Sequence, residues 1–296
     1  GPGLLMHLRP AEGTPQPVGR AIVDHLFPDA DETGRIPIVG VAGSRHGAQI
    51  ARLVAWVLQF GGRHVGLACR DGLFLDRRRV DPGDCTHWEA GRRLLINRNV
   101  EAAVFENDAA AILNDGLPYD RCTVGIVTDL DGLEALAPHD VHDTDQMLKV
   151  LRTQVDVVLS DGTAVLNGGD ARVAGLGRLC DGGVILYALD EHAPAIVEQR
   201  AAGGRTVFLR EAGCVLAEGS SETLLTRLEP LAAPAQVLAP EALLAAVAAA
   251  WAMGVEPDLI AAGVQTFGPV PAAVTLPTVP TAPSAPRSPS EDRKND

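Results

Sequence analysis

The feature that most limits the fold of this chain is a regular alternation of short, almost wholly apolar segments with amphipathic ones. The apolar segments are IPIVGVAG, HVGLAC, VEAAVFEN, CTVGIVTDL, TAVLN and GGVILYAL, and helices are predicted between them at 48–60, 88–95 and 144–154. Strands that are apolar along their whole length lie in a sheet covered on both faces, and alternation with helices makes that sheet parallel. The sequence therefore predicts an α/β fold built on a doubly wound, mostly parallel sheet.

The C-terminal part of the chain departs from this alternation. Between residues 205 and 231, the segments TVFLREAG and CVLAEG alternate apolar with polar residues around Gly-containing turns. This pattern predicts an antiparallel hairpin at the edge of the sheet. Two further helices are predicted at 240–253 and 256–262.

Proline-rich segments flank this α/β unit, which we place at residues 36–268. Residues 1–35 contain five prolines, four of which are spaced around an apolar-periodic stretch at 18–27, and they predict a linker that carries one small helix. Residues 269–296 are rich in Pro, Ser and Thr and end in charged residues. Because such a composition cannot bury a core, it predicts a disordered tail.

The composition excludes two classes of partner. A formal net charge of -13 argues against a nucleic-acid groove, which needs a surplus of Lys and Arg on one face. No apolar run approaches the length of a membrane span, so we expect no membrane partner. The five cysteines are scattered, without a CxxC pair, and this pattern favours a reducing cytoplasm.

The segment VGVAGSRHGAQIARLV lies where a doubly wound sheet would hold a phosphate, after the first strand and at a helix N-terminus. A GxxxxGK[ST] loop uses its Lys to neutralise the outer phosphates and its hydroxyl to bind magnesium. Aligned on Gly43, the Lys position holds Gly47 and the hydroxyl position holds Ala48. Since phosphoryl transfer depends on stabilising phosphate charge, these substitutions predict a loop without ATP chemistry. Arg45 and His46 remain as alternative cations.

Several motifs of the chain resemble the Mur-ligase-like region of cyanophycin synthetases. IPIVGVAGSRHGAQIARLV resembles the family pattern IPIVAVTGTNGKTTTTRLI, GDCTHWEAGRRLL resembles GDCTGPxSARxxL, and VEAAVFENDAAAIL resembles VEVAVLETARGGIL. The linker resembles the family's passage from its ATP-grasp module, and the likeness extends over residues 5–267. It implies the Mur-ligase central-domain fold and a reaction in which ATP and magnesium drive arginine addition to an aspartate side chain through an acyl phosphate.

Three positions keep the residue types that the resemblance implies for the site. Glu106 aligns with the family's magnesium-binding Glu, and Asn167 and Asp170, in NGGD, align with residues that would touch the nucleoside. The alternative is structural, because Asn and Asp beside Gly form turns and a lone Glu at a strand end is often capped or solvated. With Gly43, Arg45 and Gly47, these residues form the remnant site, and we expect no bound cofactor.

Other positions depart from the family pattern. The family's TARGG becomes residues 107–111, NDAAA, and Asp129 falls near the family's Asn. Leu151 aligns with the lysine that is carbamylated in Mur-type ligases, and on a helix neither Lys149 nor Arg152 points where Leu151 points. The family's next Rossmann-like lobe is replaced by the Pro-rich tail, so we also expect the closing lobe to be missing.

These departures predict a catalytically inactive domain that supports structure and oligomerisation. Its expected partners are an upstream ATP-grasp module and further copies of itself, with the cyanophycin polymer as another candidate. Without the closing lobe, we expect the Ala-rich helix 241–253 to be exposed and to form a subunit contact through Ala246 and Ala250. The alternatives are a nucleotide- or peptide-binding regulatory domain, or a ligase with a rearranged site that uses Arg45 or Lys149.

Two other groups of reactive side chains have structural interpretations. His139, Asp140, His142 and Asp143 have metal-ligand side chains at short spacing, but they precede a helix that Asp143 or Thr144 would cap. Cys69, beside Arg70 and Asp71, ends an apolar strand and is expected to pack as a small hydrophobic residue.

Overall fold

The computed structural model describes residues 19–21, 24–25, 34–227 and 238–268. Residues 19–21 and 24–25 are helical, in agreement with the small helix predicted at 18–27. The rest of the predicted linker up to residue 33, and the predicted tail at 269–296, lie outside the described residues.

The strands and helices alternate much as the sequence predicts. The strands are Ile38–Ala42 (β1), Val65–Cys69 (β2), Gly72–Leu75 (β3), Arg78–Asp81 (β4), Ala102–Asn107 (β5), Cys122–Val127 (β6), Val158–Asn167 (β7), Gly183–Ala188 (β8), Arg205–Arg210 (β9), Gly213–Glu218 (β10) and Ser221–Arg227 (β11). The α-helices are Gly47–Phe60 (α1), Trp88–Leu95 (α2), Ala109–Asp115 (α3), Thr144–Asp156 (α4), Ala171–Gly175 (α5), Pro194–Ala201 (α6), Pro240–Ala252 (α7) and Pro257–Thr266 (α8), with 3-10 segments at Leu133–His139 and Leu176–Leu179.

All these strands form one sheet in the order β11-β10-β9-β8-β7-β6-β1-β5-β2-β3-β4. The seven central strands, from β9 to β2, run parallel to their neighbours, whereas β10 and β11 at one end and β3 and β4 at the other are antiparallel. The predicted α/β fold with a mostly parallel sheet is therefore confirmed. The predicted edge hairpin is β9–β10, which β11 extends, while the β3–β4 extension was not predicted.

Helices cover both faces of the sheet. On one face, α1, α7 and α8 pack over strand residues such as Val39, Val104 and Ile185. On the other face, α2 packs near Phe105, and α4 and α6 pack over the half of the sheet that contains Phe208. This arrangement brings the carboxyl ends of the parallel strands to one edge of the sheet, where sites lie in open α/β folds.

Helix α7 is buried, which contradicts its predicted exposure as a subunit contact. Ala246 and Ala250 are 1% and 0% exposed, and the helix lies between the sheet and helices α1 and α8. The physical reason is that residues 242–250 are all apolar, and a helix that is apolar around its whole circumference belongs in a core. Among the described residues, no helix is long and apolar enough to cross a membrane.

A buried polar network joins the sheet to α4. The Asn107 amide donates to the Tyr119 hydroxyl and to Gln154 Oε1, each at 2.7 Å, and the Tyr119 hydroxyl donates to Gln154 Oε1 at 2.9 Å. Gly40 on β1 lies against this network, and a Cβ there would clash with the Tyr119 hydroxyl and come within 2.5 Å of Gln154 Oε1. Gly40 therefore provides the space that the three polar side chains need.

We predict that Gly40→Ala lowers the free energy of unfolding by about 2–3 kcal/mol, because the added methyl group overpacks a satisfied polar cluster. Gly175→Ala on helix α5 is the matched control, since a Cβ there meets no atom within 4 Å. It should be neutral or stabilise by about 0.5–1 kcal/mol. Urea unfolding followed by circular dichroism measures both, and equal stabilities for the two variants would contradict the packing argument.

Candidate functional site

The loop between β1 and α1 keeps the backbone shape of an anion-binding loop. Gly43 has φ 129°, a conformation that favours glycine, and a Cβ there would clash with the Thr128 hydroxyl. His46 adopts φ 59° at the N-cap of α1 and makes no side-chain capping hydrogen bond. The loop therefore lies tightly against the end of β6, with the amides of Ser44 and Arg45 turned towards one point.

The carboxylate of Asp129 occupies that point. Asp129 accepts hydrogen bonds from the Ser44 amide at 3.2 Å, the Ser44 hydroxyl at 2.7 Å and the Arg45 amide at 2.8 Å. The Thr128 hydroxyl, at 2.6 Å, and the Asp131 amide, at 3.0 Å, complete its surroundings. Successive backbone amides of this kind form a concavity that binds anions, and here the anion belongs to the protein.

Asp129 is charged at neutral pH. It is only 6% exposed, and burial alone would raise its pKa. The hydrogen bonds from Thr128, Ser44, Arg45 and Asp131 outweigh burial, so the pKa of Asp129 lies below its usual value. The loop amides therefore bind a full negative charge.

Arg45, the predicted substitute cation, is engaged by a neighbour. Its guanidinium forms an ion pair with Asp131, and the two side chains are 63% and 49% exposed. The positive charge that could meet a phosphate is therefore neutralised beside the loop. The other predicted cation, His46, is exposed.

Glu106 lies beside Gly47, the position that a lysine occupies in a phosphate-binding loop. A Cβ on Gly47 would lie 2.7 Å from Glu106 Oε1. Glu106 is 6% exposed and accepts a 2.7 Å hydrogen bond from the Arg70 amide, and the Arg70 guanidinium lies 3.9 Å from its carboxylate. Burial is the main influence and raises the pKa of Glu106, although both Arg70 contacts act in the opposite direction.

Asn167 and Asp170 have clear structural contacts. The Asn167 amide donates to the Thr128 carbonyl at 2.9 Å, and its side-chain oxygen accepts from Gly169 N at 2.9 Å. Asp170 caps α5 by accepting from the amides of Arg172 and Val173 at 2.8 Å and 3.4 Å. These contacts agree with the structural alternative, in which Asn167 and Asp170 form turns. Both residues also line a cavity at this edge of the sheet.

A cavity of about 370 Å³ opens at the carboxyl ends of β6, β7 and β8. The structure brings four predicted or aligned residues together in its wall: Arg45, Asp129, Asn167 and Asp170. Gly43, Gly47 and Glu106 are not among its lining residues, and they lie along the loop and at the end of β5. The site is therefore divided into a loop filled by Asp129 and a separate cavity beside it.

The remaining aligned positions lie away from this cavity. Leu151 is fully buried in the core under α4, whereas Lys149 is exposed and Arg152 pairs with Asp156 on the helix surface. This arrangement agrees with the expectation that neither cation shares the direction of Leu151. No side chain of α4 therefore replaces the lysine that is carbamylated in Mur-type ligases.

Asp143 and Cys69 have the structural roles that were predicted for them. Asp143 caps α4 through a capping box with Gln146. Within the described part of the chain, no group of three or more His, Cys, Asp or Glu side chains is arranged to hold a metal. Cys69 is fully buried, and burial is the main cause that raises its pKa to about 12.

The central role of Asp129 and the contact between Arg70 and Glu106 were not predicted from the sequence. A signal for Asp129 was present, because it lies two residues after the apolar strand CTVGIV, at the end where parallel sheets place their sites. Nothing local to the sequence indicates that this strand lies next to β1. Arg70 gives no such signal, because its backbone amide makes the contact.

Comparisons with known proteins agree with the resemblance. No family model matches the chain. The cyanophycin synthetase of Geminocystis herdmanii is 31% identical over 271 residues, which are 90% of this chain and 31% of that protein. The cyanophycin synthetase of a Nostoc species is 29% identical over 269 residues, again 90% of this chain and 30% of the relative. The chain thus spans about a third of the length of the curated relatives that it matches.

A solved structure shows the same fold. The UDP-N-acetylmuramoyl-L-alanyl-D-glutamate–2,6-diaminopimelate ligase superposes with a TM-score of 0.58 at 14% sequence identity, over 86% of this chain and 50% of that chain. At this identity the likeness concerns the fold alone. The sheet described above is therefore of the Mur-ligase central-domain type.

We predict that Asp129→Asn lowers the free energy of unfolding by about 2 kcal/mol at pH 7, because charge-assisted hydrogen bonds to the loop are lost. The folded-state pKa of Asp129 is lowered, so its stabilisation is fully present above the unfolded pKa, near pH 4, and disappears as the pH falls through the folded-state pKa. Urea unfolding of both proteins between pH 3 and pH 8 measures the difference.

Two variants control this experiment. Asp131→Asn removes only the exposed pair with Arg45, so its cost should stay below about 0.5 kcal/mol. Glu106→Gln should show the opposite pH dependence. Because the folded-state pKa of Glu106 is raised, the wild-type protein loses stability as the pH rises from its unfolded to its folded pKa, and the Gln variant does not. A pH-independent difference for Asp129→Asn would contradict the charge assigned to it.

Proposed function

We propose, since this chain is homologous to the cyanophycin synthetases and has the Mur-ligase-like fold, that it is a catalytically inactive domain of a protein of that kind. Its role would be structural, supporting an ATP-grasp amide ligase that makes the aspartate–arginine polymer cyanophycin. Because the chain spans only 31% of its relative, the activity and partners of the whole protein belong to this proposal.

The observation that carries the proposal is the carboxylate of Asp129 in the phosphate loop. A phosphate bound to the amides of Ser44 and Arg45 would have to displace a buried carboxylate that accepts five hydrogen bonds. If the carboxylate stayed in place, it would repel the phosphate at close range. Either way, ATP binding costs far more here than in a loop whose amides are free.

The arginines nearest to the loop are already paired with carboxylates of the protein. The sequence contains two lysines, of which Lys149 lies on the exposed face of α4 and Lys294 falls outside the described residues. Arg45 is paired with Asp131, and Arg70 lies between Glu106 and Asp108 at 3.9 Å and 3.6 Å. Transition-state charge on a phosphoryl group would therefore meet carboxylates rather than cations.

A structural role is supported by the ends of the sheet. Within the described residues, β4 and β11 each pair with a strand on one side only. Leu224 on β11 is 57% exposed. An edge strand with an exposed apolar side chain is suited to contact another domain or subunit. We infer that this edge, and not α7, contributes to assembly with the ATP-grasp module or with further copies.

We predict that the chain gives no binding heat with Mg-ATP at millimolar concentration and releases no phosphate with arginine and an aspartyl peptide. The double variant Gly47→Lys, Ala48→Thr should also fail, because Asp129 remains in the loop and Glu106 crowds position 47. Adding Asp129→Asn to that pair should give measurable millimolar binding. Calorimetric titration of all three proteins, with a complete cyanophycin synthetase as the positive control, checks this.

The result that would contradict the inactive state is saturable Mg-ATP binding by the unmodified chain. Such binding would instead support a nucleotide-binding regulatory domain, and arginine addition by the chain alone would support a rearranged ligase. Equal binding by the double and triple variants would show that Asp129 is not the obstacle.

In the full-length protein, we predict that Arg45→Ala leaves the rate of polymer synthesis within about twofold of the wild-type value. The proposal assigns synthesis to the ATP-grasp module, and the exposed pair of Arg45 with Asp131 contributes little stability. Initial rates of polymer formation at saturating substrates measure the effect. A loss of ten-fold or more in a normally folded variant would indicate that this loop takes part in the reaction.

A further inference from the structure

The cavity beside the loop has a charge opposite to that of a nucleotide site. One basic side chain lines it, Arg45, and that side chain is paired with Asp131. The acidic side chains in its wall are Asp129, Asp131, Asp170, Asp190 and Glu241. A concave surface with this surplus of carboxylates repels anions and concentrates cations.

The carboxylates of the cavity wall differ in how many of their oxygens already accept a hydrogen bond or form an ion pair. Asp129 is committed to the loop, and Asp131 to Arg45. Asp170 uses only Oδ1 for the cap of α5, and Asp190 uses Oδ1 to accept from His192 N at 2.9 Å. Glu241 makes no hydrogen bond or ion pair with any described residue. Glu241 and one oxygen each of Asp170 and Asp190 therefore remain as acceptors.

Tyr187 adds an independent sign that the cavity holds a ligand. This tyrosine on β8 is 1% exposed and lines the cavity, yet its hydroxyl has no hydrogen-bond partner among the described residues. Burial and then the nearby carboxylates of Asp129 and Glu241 raise the pKa of Tyr187, so its hydroxyl stays neutral. Because the rest of the side chain is buried, only a molecule in the cavity can reach this hydroxyl, and a ligand N–H group could donate to its lone pair.

We propose that this cavity binds a small organic cation with ammonium or guanidinium groups, held by Glu241, Asp190 and the Tyr187 hydroxyl. Each of these cationic groups carries several N–H donors and no acceptor, which matches a wall of unused oxygens. A volume of about 370 Å³ suits a small molecule. The inference goes beyond the inactive state of the loop and does not depend on it.

Agmatine, which carries one guanidinium and one ammonium group, is the probe for this site. We expect calorimetric titration of the unmodified chain to give saturable one-to-one binding that weakens with salt. Glu241→Gln and Tyr187→Phe should each raise the dissociation constant, by about tenfold for Glu241→Gln, since each removes one acceptor while keeping shape. Glu218→Gln, an exposed carboxylate outside the cavity wall, is the matched control and should change nothing.

Three outcomes would overturn the proposal, two with agmatine and one with a neutral probe. One is the absence of saturable agmatine binding by the folded protein, and the other is binding that all three variants share with the wild-type chain. The neutral probe 1,5-pentanediol should not bind, and binding equal to that of agmatine would also count against recognition of charge. Mg-ATP is titrated separately, so ATP binding would refute the inactive loop without affecting the result for agmatine.

Discussion

The contact on which the site depends is the one between the carboxylate of Asp129 and the amides of Ser44 and Arg45. These amides converge because Gly43 turns the chain sharply after β1, in a conformation that side chains disfavour. Converging amides need a negative partner, and in a nucleotide-binding loop a phosphate supplies it. Here the partner comes from the end of the neighbouring strand β6, so the loop is satisfied without a ligand.

Because the loop binds the Asp129 carboxylate, the cations around it have partners within the protein. With a phosphate present, cations near the loop are stabilising, whereas beside Asp129 and Glu106 the cations Arg45 and Arg70 lie against carboxylates of the protein itself. The sheet does not depend on whether the loop binds a phosphate or a carboxylate, because its core is formed by apolar strands and helices. The fold is therefore kept although the residues at the family's site positions differ. Leu151, which aligns with the carbamylated lysine and is fully buried in the core, is another such position.

The sequence predicted the parallel sheet because burial on both faces leaves a direct mark, a continuous apolar run in each strand. For Asp129 the sequence indicated only its position after a strand and not its partners, since these lie 84 and 85 residues away and meet it only because β6 lies next to β1. Strand β4 was missed because its alternating exposed residues, RRVD, are those of an edge. The error over α7 arose differently: its apolar circumference indicates burial, but the expected loss of a neighbouring lobe was given more weight.

Four residues of the loop region limit which substitutions could make room for a phosphate. A side chain at Gly47 meets Glu106, and Glu106 is fixed by the Arg70 amide on β2's C-terminal turn. Removal of the Asp129 charge leaves the loop amides with a weaker partner, while the retained charge repels a phosphate at close range. A single substitution towards a phosphate-binding loop thus either clashes or loses hydrogen bonds before any affinity for ATP is gained.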